Sequence, residues 1–302
     1  MKFAFSANAF RKYSLIDTIE ILAGLGYEGI EIMADIPHAY PPDLSDNDIT
    51  AILAALDRCQ MRISNINAFM LWAEGDTWHP SWIEADPAQR EKRIAHTLRC
   101  IDLAAKLGAP TISTEPGGPL DGMPLETGLR IFKEGLEAVE SLAREKGVKV
   151  LIEPEPALLI ERSDQFLHFI DGLDQEVFGL NFDIGHFYCV NEDPAALVPA
   201  LQRHTCHYHL EDISSDRVHH HLLPGLGAID LPAVLQAINQ LDYQGFVTVE
   251  LYPYEDNPVE TARKALAYLR ALFPALSPVP TSVSTHDKSG KNAGLAPAYA
   301  AA

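Results

Sequence analysis

The stretch Gly179-Leu180-Asn181-Phe182-Asp183-Ile184-Gly185-His186 decides how this chain is read. Its first part is short and apolar enough for a buried strand. It then breaks into an acid, a glycine and a histidine. The same pattern stands upstream in Leu151-Ile152-Glu153-Pro154. It returns downstream in His207-Tyr208-His209-Leu210-Glu211-Asp212 and in Val249-Glu250-Leu251-Tyr252. Four apolar runs thus end in polar residues able to bind protons or cations.

Working outward, eight such runs are expected as strands: Lys2–Ala7, Gly29–Met33, Arg62–Ile66, Thr111–Thr114, Lys149–Glu153, Gly179–Asp183, Cys206–Leu210 and Phe246–Leu251. Helical periods fill the intervals. Leu15, Ile19, Leu22 and Leu25 share a face that stops at Gly26, and Ser45 or Asp46 can cap a helix carrying Ile49, Ile52, Leu53 and Leu56. Pro194 suits a helix start. Strands alternating with helices at this spacing predict a parallel sheet with crossover helices. Eight units favour an α/β fold of the closed (β/α)8 TIM-barrel kind over an open doubly wound sheet. The barrel is expected over residues 1–273. The Pro-, Ser-, Ala- and Gly-rich stretch 274–302 has little to bury and is expected to be a disordered tail.

Bulk properties narrow the function. The net charge of −19 opposes nucleic-acid binding, which needs clustered Lys and Arg. No apolar run is long enough to span a bilayer, and Met1–Asn8 is too short and polar for a signal peptide, so a cytoplasmic location is expected. The four cysteines form no C-x-x-C pair and are expected as buried thiols. No oligomer interface is legible, although a homo-oligomer is compatible with a barrel of this size.

In a barrel, strand C-termini converge on one face. Glu153, Asp183, His209 and Glu250 would therefore meet, although far apart in sequence. Three carboxylates and an imidazole at close range repel one another or take up protons, and a divalent cation resolves that conflict. Mixed oxygen and nitrogen donors suit Mn, Co, Mg or Zn. Taken singly, each such residue reads better as a helix cap or an ion-pair partner; four at consecutive strand ends favour the metal.

With these residues in place, the chain resembles the xylose isomerase-like TIM barrels. That group includes sugar isomerases, ketose 3-epimerases and sugar-phosphate isomerase/epimerase homologues. Inosose dehydratases and endonuclease IV share the scaffold. The resemblance spans roughly Met1 to Phe273. It rests on the Glu of strand five, the Asp-x-x-His of strand six, the His-Leu-x-Asp of strand seven and the Glu of strand eight. It implies Glu153, Asp183, His209 and Glu250 as metal ligands, with Glu153 and Glu250 also catalytic as acid and base. It implies His186 and Arg217 as substrate contacts, the arginine being offset by the longer Glu211–Asp216 stretch. The run from Asp216 to Gly227 resembles a loop of endonuclease IV that feeds an extra metal. That match offers His186, His219 and His221 as a candidate second metal set. The blander reading of the same histidines is a solvated loop or binders of substrate hydroxyls. Endonuclease IV needs further histidines where this chain has Asn67 and Glu115, which argues against DNA repair.

The implied reaction is isomerisation or epimerisation of a carbohydrate or polyol, phosphorylated or not, through an enediolate. Proton removal followed by loss of a β-substituent would instead make a lyase, such as an inosose dehydratase or a cleaver of 3-keto-glycosides. A barrel that only binds a metabolite is a third reading. The long loop from Asn67 to Gln89 carries three tryptophans and is expected either to cover the site, with Phe69, Trp72 and Trp78 against the sugar, or to form an irregular surface patch. Gly117-Gly118 is a weak candidate for holding phosphate.

Overall fold

The structure, a computed structural model, describes residues 1–273. The expected tail lies outside the described residues. Eight parallel strands close into one barrel in sequence order. They are β1 (Lys2–Ser6), β2 (Gly29–Met33), β3 (Arg62–Asn67), β4 (Thr111–Thr114), β5 (Lys149–Ile152), β6 (Phe178–Asp183), β7 (Thr205–Leu210) and β8 (Phe246–Val249). Lys2 pairs with Phe246 and Phe5 with Val249, which closes the ring. Strand bounds differ from the expected ones by one or two residues. Even so, Glu153 and Glu250, just past β5 and β8, still donate their N–H groups to Thr114 and Leu210 carbonyls at 2.9 and 3.1 Å. The barrel ladder therefore fixes both backbones.

Helices form the outer layer: α1 (Leu15–Leu25), α2 (Asp46–Cys59), α3 (Pro87–Leu107), α4 (Leu125–Lys146), α5 (Ser163–Ile170), α6 (Ile184–Cys189), α7 (Pro194–Leu201), α8 (Leu231–Gln240) and α9 (Pro258–Leu272). Ser45 caps α2 in a reciprocal capping box with Asp48. Gly26 ends α1 in the left-handed region, which an amino acid with a Cβ rarely adopts. Ile19 and Leu22 of α1 are wholly buried, as the period required. The short α6 was not foreseen. It begins directly on Asp183, whose side chain accepts from the His186 N–H at 2.7 Å. Cys100 is buried, the other three cysteines are half-buried, and all four are free thiols.

The barrel interior is more polar than the apolar strands suggested. Ser64, Thr248, His207 and Asn181 form one hydrogen-bonded chain, with Thr248 to Ser64 at 3.0 Å and His207 to Thr248 and to Asn181 at 2.7 Å each. Thr111, Asn65 and Glu31 form a second, with links of 2.7 and 2.9 Å. Buried polar groups are tolerable only when paired in this way. Both chains reach the strand-end cluster, the first through Asn181 to Glu153 and the second through Glu31 to His209.

No described helix is long and apolar enough to cross a membrane.

Candidate active site

The barrel brings Glu153, Asp183, His209 and Glu250 together, with one donor atom from each within 4.8 Å of the others. Asp183 and His209 are fully buried, and Glu153 and Glu250 are nearly so. Only the two glutamates line the open cavity, a hollow of about 500 Å³ above the strand ends. Asp183 and His209 close its floor from behind.

Each glutamate is gripped by one asparagine. Asn181 donates to Glu153 Oε2 at 2.7 Å, and Asn8 donates to Glu250 Oε1 at 2.8 Å. The other oxygens face His209 Nδ1, at 3.0 Å for Glu153 Oε1 and 3.6 Å for Glu250 Oε2. Asp183 Oδ2 is 3.6 Å from the same nitrogen and has no hydrogen-bond partner, although it is buried. An orphaned, buried carboxylate oxygen among three other donors is what a cation would satisfy. The donor set therefore fits a divalent ion.

The electrostatics express the same crowding. Burial disfavours ionisation of Asp183, but the imidazoles of His186, His209 and His221 outweigh it and hold the acid well below its ordinary range. Burial, with Glu153 and Glu31 beside it, holds Glu250 well above the carboxylate range against the pull of His209. Burial also opposes a charge on His209, yet Glu31, Glu250 and Glu153 raise its affinity for a proton. Without a cation, a proton on His209 holds these acids together.

Glu31 was missed in the sequence. Its Oε2 lies 2.8 Å from His209 Nε2 and also accepts from Asn65 at 2.9 Å. A carboxylate there keeps the proton on Nε2 and turns Nδ1 toward the cluster. The available signal was a lone acid inside Gly29-Ile30-Glu31-Ile32-Met33, a strand otherwise without charge. Asn8 and Glu155, both buried and both lining the cavity, were also missed.

His186, His219 and His221 also converge, with one ring nitrogen of each within 4.8 Å of the others. His186 Nδ1 lies 3.0 Å from the Pro154 carbonyl and His221 Nδ1 3.0 Å from the Glu250 carbonyl. A carbonyl only accepts, so both Nδ1 atoms carry the proton and both Nε2 atoms present lone pairs. The loop that carries two of these histidines is folded by Asp212. Its carboxylate accepts from the N–H groups of Gly225, Gly227 and Ile229 at 2.9, 2.8 and 3.1 Å.

Arg217 requires correction, since it does not line the cavity. Its backbone is left-handed, and the guanidinium lies 3.8 Å from the Tyr188 ring centroid while donating to the Tyr188 carbonyl. It lines a separate surface hollow with Asn191 and Asp230.

The long loop after β3 does wall the cavity through Phe69, Trp72 and Trp78. Asp35 accepts from the Trp72 and Ala73 N–H groups, and buried Arg93 donates to the Ala68 and Phe69 carbonyls at 3.1 and 2.6 Å. Trp82 instead is a core residue. It packs on Phe132 at 5.6 Å and donates to Thr114 Oγ1 at 2.9 Å. Gly117 packs under Trp82 and Gly118 against Leu158, away from the cavity.

A family model for the xylose isomerase-like TIM barrel matches residues 19–272. The chain belongs to this family. Among relatives, it is similar to an inosose dehydratase of Clostridium beijerinckii, at 25% identity over 82% of this chain and 86% of that protein. It is also similar to a fructoselysine 3-epimerase of Shigella flexneri, at 27% identity over 83% of this chain and 90% of that one. Solved structures of the same fold include a D-tagatose 3-epimerase-like protein, with a TM-score of 0.77 and 21% identity over 91% of this chain and 98% of that one. Another is the IOLI protein with a bound zinc atom, with a TM-score of 0.76 and 19% identity over 92% of this chain and all of that one. This xylose isomerase-like barrel thus has enzymes of two reaction types among its relatives, epimerases and dehydratases.

Proposed function

We propose that this protein is a divalent-metal-dependent isomerase or epimerase of a carbohydrate or polyol. The carrying observation is the division of labour within the four-residue cluster: two carboxylates face the cavity and two donors close its floor. Glu153, Asp183, His209 and Glu250 would hold the ion. When bound, it supplies positive charge beside the substrate's carbonyl and hydroxyl oxygens, where an enediolate develops.

The chain's own residues then move the proton. Glu153 and Glu250 stand on non-adjacent strands and are gripped by different asparagines. One removes the proton alpha to the carbonyl, and the other delivers a proton to the opposite face. Asn181 and Asn8 keep each carboxylate from rotating away. His186 offers its Nε2 lone pair to a substrate hydroxyl, and Phe69, Trp72 and Trp78 shield the sugar from water.

The lyase reading has equal support among the relatives, because an inosose dehydratase matches the chain as well as an epimerase does. It uses the same proton abstraction. A second ion on His186, His219 and His221 is supported by the fixed tautomers of His186 and His221. Metal content by mass spectrometry separates the two cases: one ion per chain leaves this triad to hydroxyls, and two ions assign it to metal.

The test of function is exchange of a substrate C–H proton in D₂O, with ketoses, a keto-inositol and a 3-keto-glycoside. An epimer with incorporated deuterium supports the first reading. An unsaturated product supports the lyase. Absence of metal-dependent exchange across the whole panel refutes both and favours a barrel that only binds its ligand.

A further inference from the structure

We infer that the cavity's ligand carries an anionic group, a carboxylate or a phosphate, which Arg11 receives at the cavity mouth. This rests on the sugar-converting reading above and adds the substrate class.

Arg11 is the one arginine or lysine among the residues lining the cavity. Its guanidinium carbon lies over Trp72, 3.7 Å from the ring centroid. Its nearest acidic partner is Glu255 Oε2 at 3.8 Å, beyond hydrogen-bond range. Among the described residues, no acceptor takes a hydrogen bond from it. The planar fork is thus held on an aromatic face with its donors free, the arrangement suited to two-pronged capture of carboxylate or phosphate.

Its placement on the chain sets the geometry. Ala7–Phe10 form a 3-10 turn that ends at Arg11. In such a turn, residues three apart lie one above the other, about 6 Å along the axis. Asn8, which grips Glu250, stands three residues before Arg11 on this turn, and both line the cavity. One short segment thus contributes both to the Glu250 end of the cavity and to its cationic rim.

Charge explains why the rim matters. The chain carries a net −19, and Glu153, Glu155 and Glu250 line the inner end. In the proposed reaction the candidate ion at that end is already matched by carboxylates, whereas Arg11 has no hydrogen-bonded acid, so an anionic group gains most at the mouth. With the reacting carbonyl end inward at Glu153 and Glu250, a charge on the ligand's other end lies beside Arg11. Trp72 and Arg11 thus offer the ligand's outer end a cationic, aromatic-backed seat.

The test uses the full chain and three unreactive polyols of equal length: a hexitol, its 6-phosphate and the corresponding hexonate. Dissociation constants are measured by calorimetry at low and high salt. At least one anionic polyol binds ten times more tightly than the hexitol, about 1.4 kcal/mol, and the preference shrinks with salt. The phosphate and carboxylate arms show which anion is taken. R11Q removes the preference, R11K keeps part of it, and E255Q strengthens it. Equal binding of the three polyols, binding of none, or a preference that survives R11Q overturns the inference. Because polyols do not react, these results stand whether or not ketoses exchange protons, so failure of this inference is distinct from failure of the proposed reaction.

Discussion

His209 is oriented by Glu31: Nε2 and Oε2 lie 2.8 Å apart, and both side chains are fully buried. An acid on the second strand thereby decides which nitrogen of a histidine on the seventh faces the candidate ion. Partners of this kind typically carry a 10–100-fold effect on metal affinity. E31Q is therefore expected to weaken metal binding by about that factor while the barrel stays folded. Competition against a chelating dye, with circular dichroism as the folding control, measures it. An unchanged affinity would show that Glu31 has only a packing role.

The two cavity-facing glutamates should be separable by isotope. E153Q and E250Q are each expected to lower turnover by about 10²–10⁴-fold. Once metal content is matched, each variant should still exchange deuterium with one epimer and not with the other. If both variants lose exchange with the same epimer only, the two residues do not work on opposite faces.

The tryptophans of the β3 loop divide into core and cavity residues. Trp82 is 1% exposed and Trp78 is 37% exposed. W82A should cost about 3–5 kcal/mol, as large-to-small core changes do. W78A should stay within about 0.5 kcal/mol, as surface changes do, and should instead raise KM. Urea unfolding and steady-state kinetics on the same preparations test the pair. Equal destabilisation would place both in the core.

His96 gives the stability a pH dependence. Burial, with Arg93 and Arg99 adding to it, pushes its imidazole down to about 3. In the unfolded chain it titrates near 6.5. Between those values the unfolded state holds a proton that the folded state refuses. Stability is therefore full above about pH 6.5 and falls as pH drops toward 3. The slope from this one group approaches about 1.4 kcal/mol per pH unit. H96Q should flatten the fall in unfolding free energy, measured by urea titration between pH 6 and pH 4.5, by about that amount. A slope equal to that of the parent would mean that His96 accepts its proton while folded.

The sequence alone determined the alternation of eight apolar runs with helical periods, and with it the barrel. Burial and periodicity are local demands, written residue by residue. Because strand ends in a parallel barrel converge, it also determined which four polar residues would meet. It could not show what lies behind or beside them. Glu31, Asn8 and Asn181 make their contacts 178, 242 and 28 residues away, and nothing in their neighbours announces those partners. Tertiary structure alone decided that Arg217 turns outward onto Tyr188 while Arg11 turns inward onto Trp72. The physical reason is the reach of a long side chain from a loop. A strand fixes its side chains by alternation, whereas a loop residue points where its packing partners lead it, and only the closed barrel brings those partners within range.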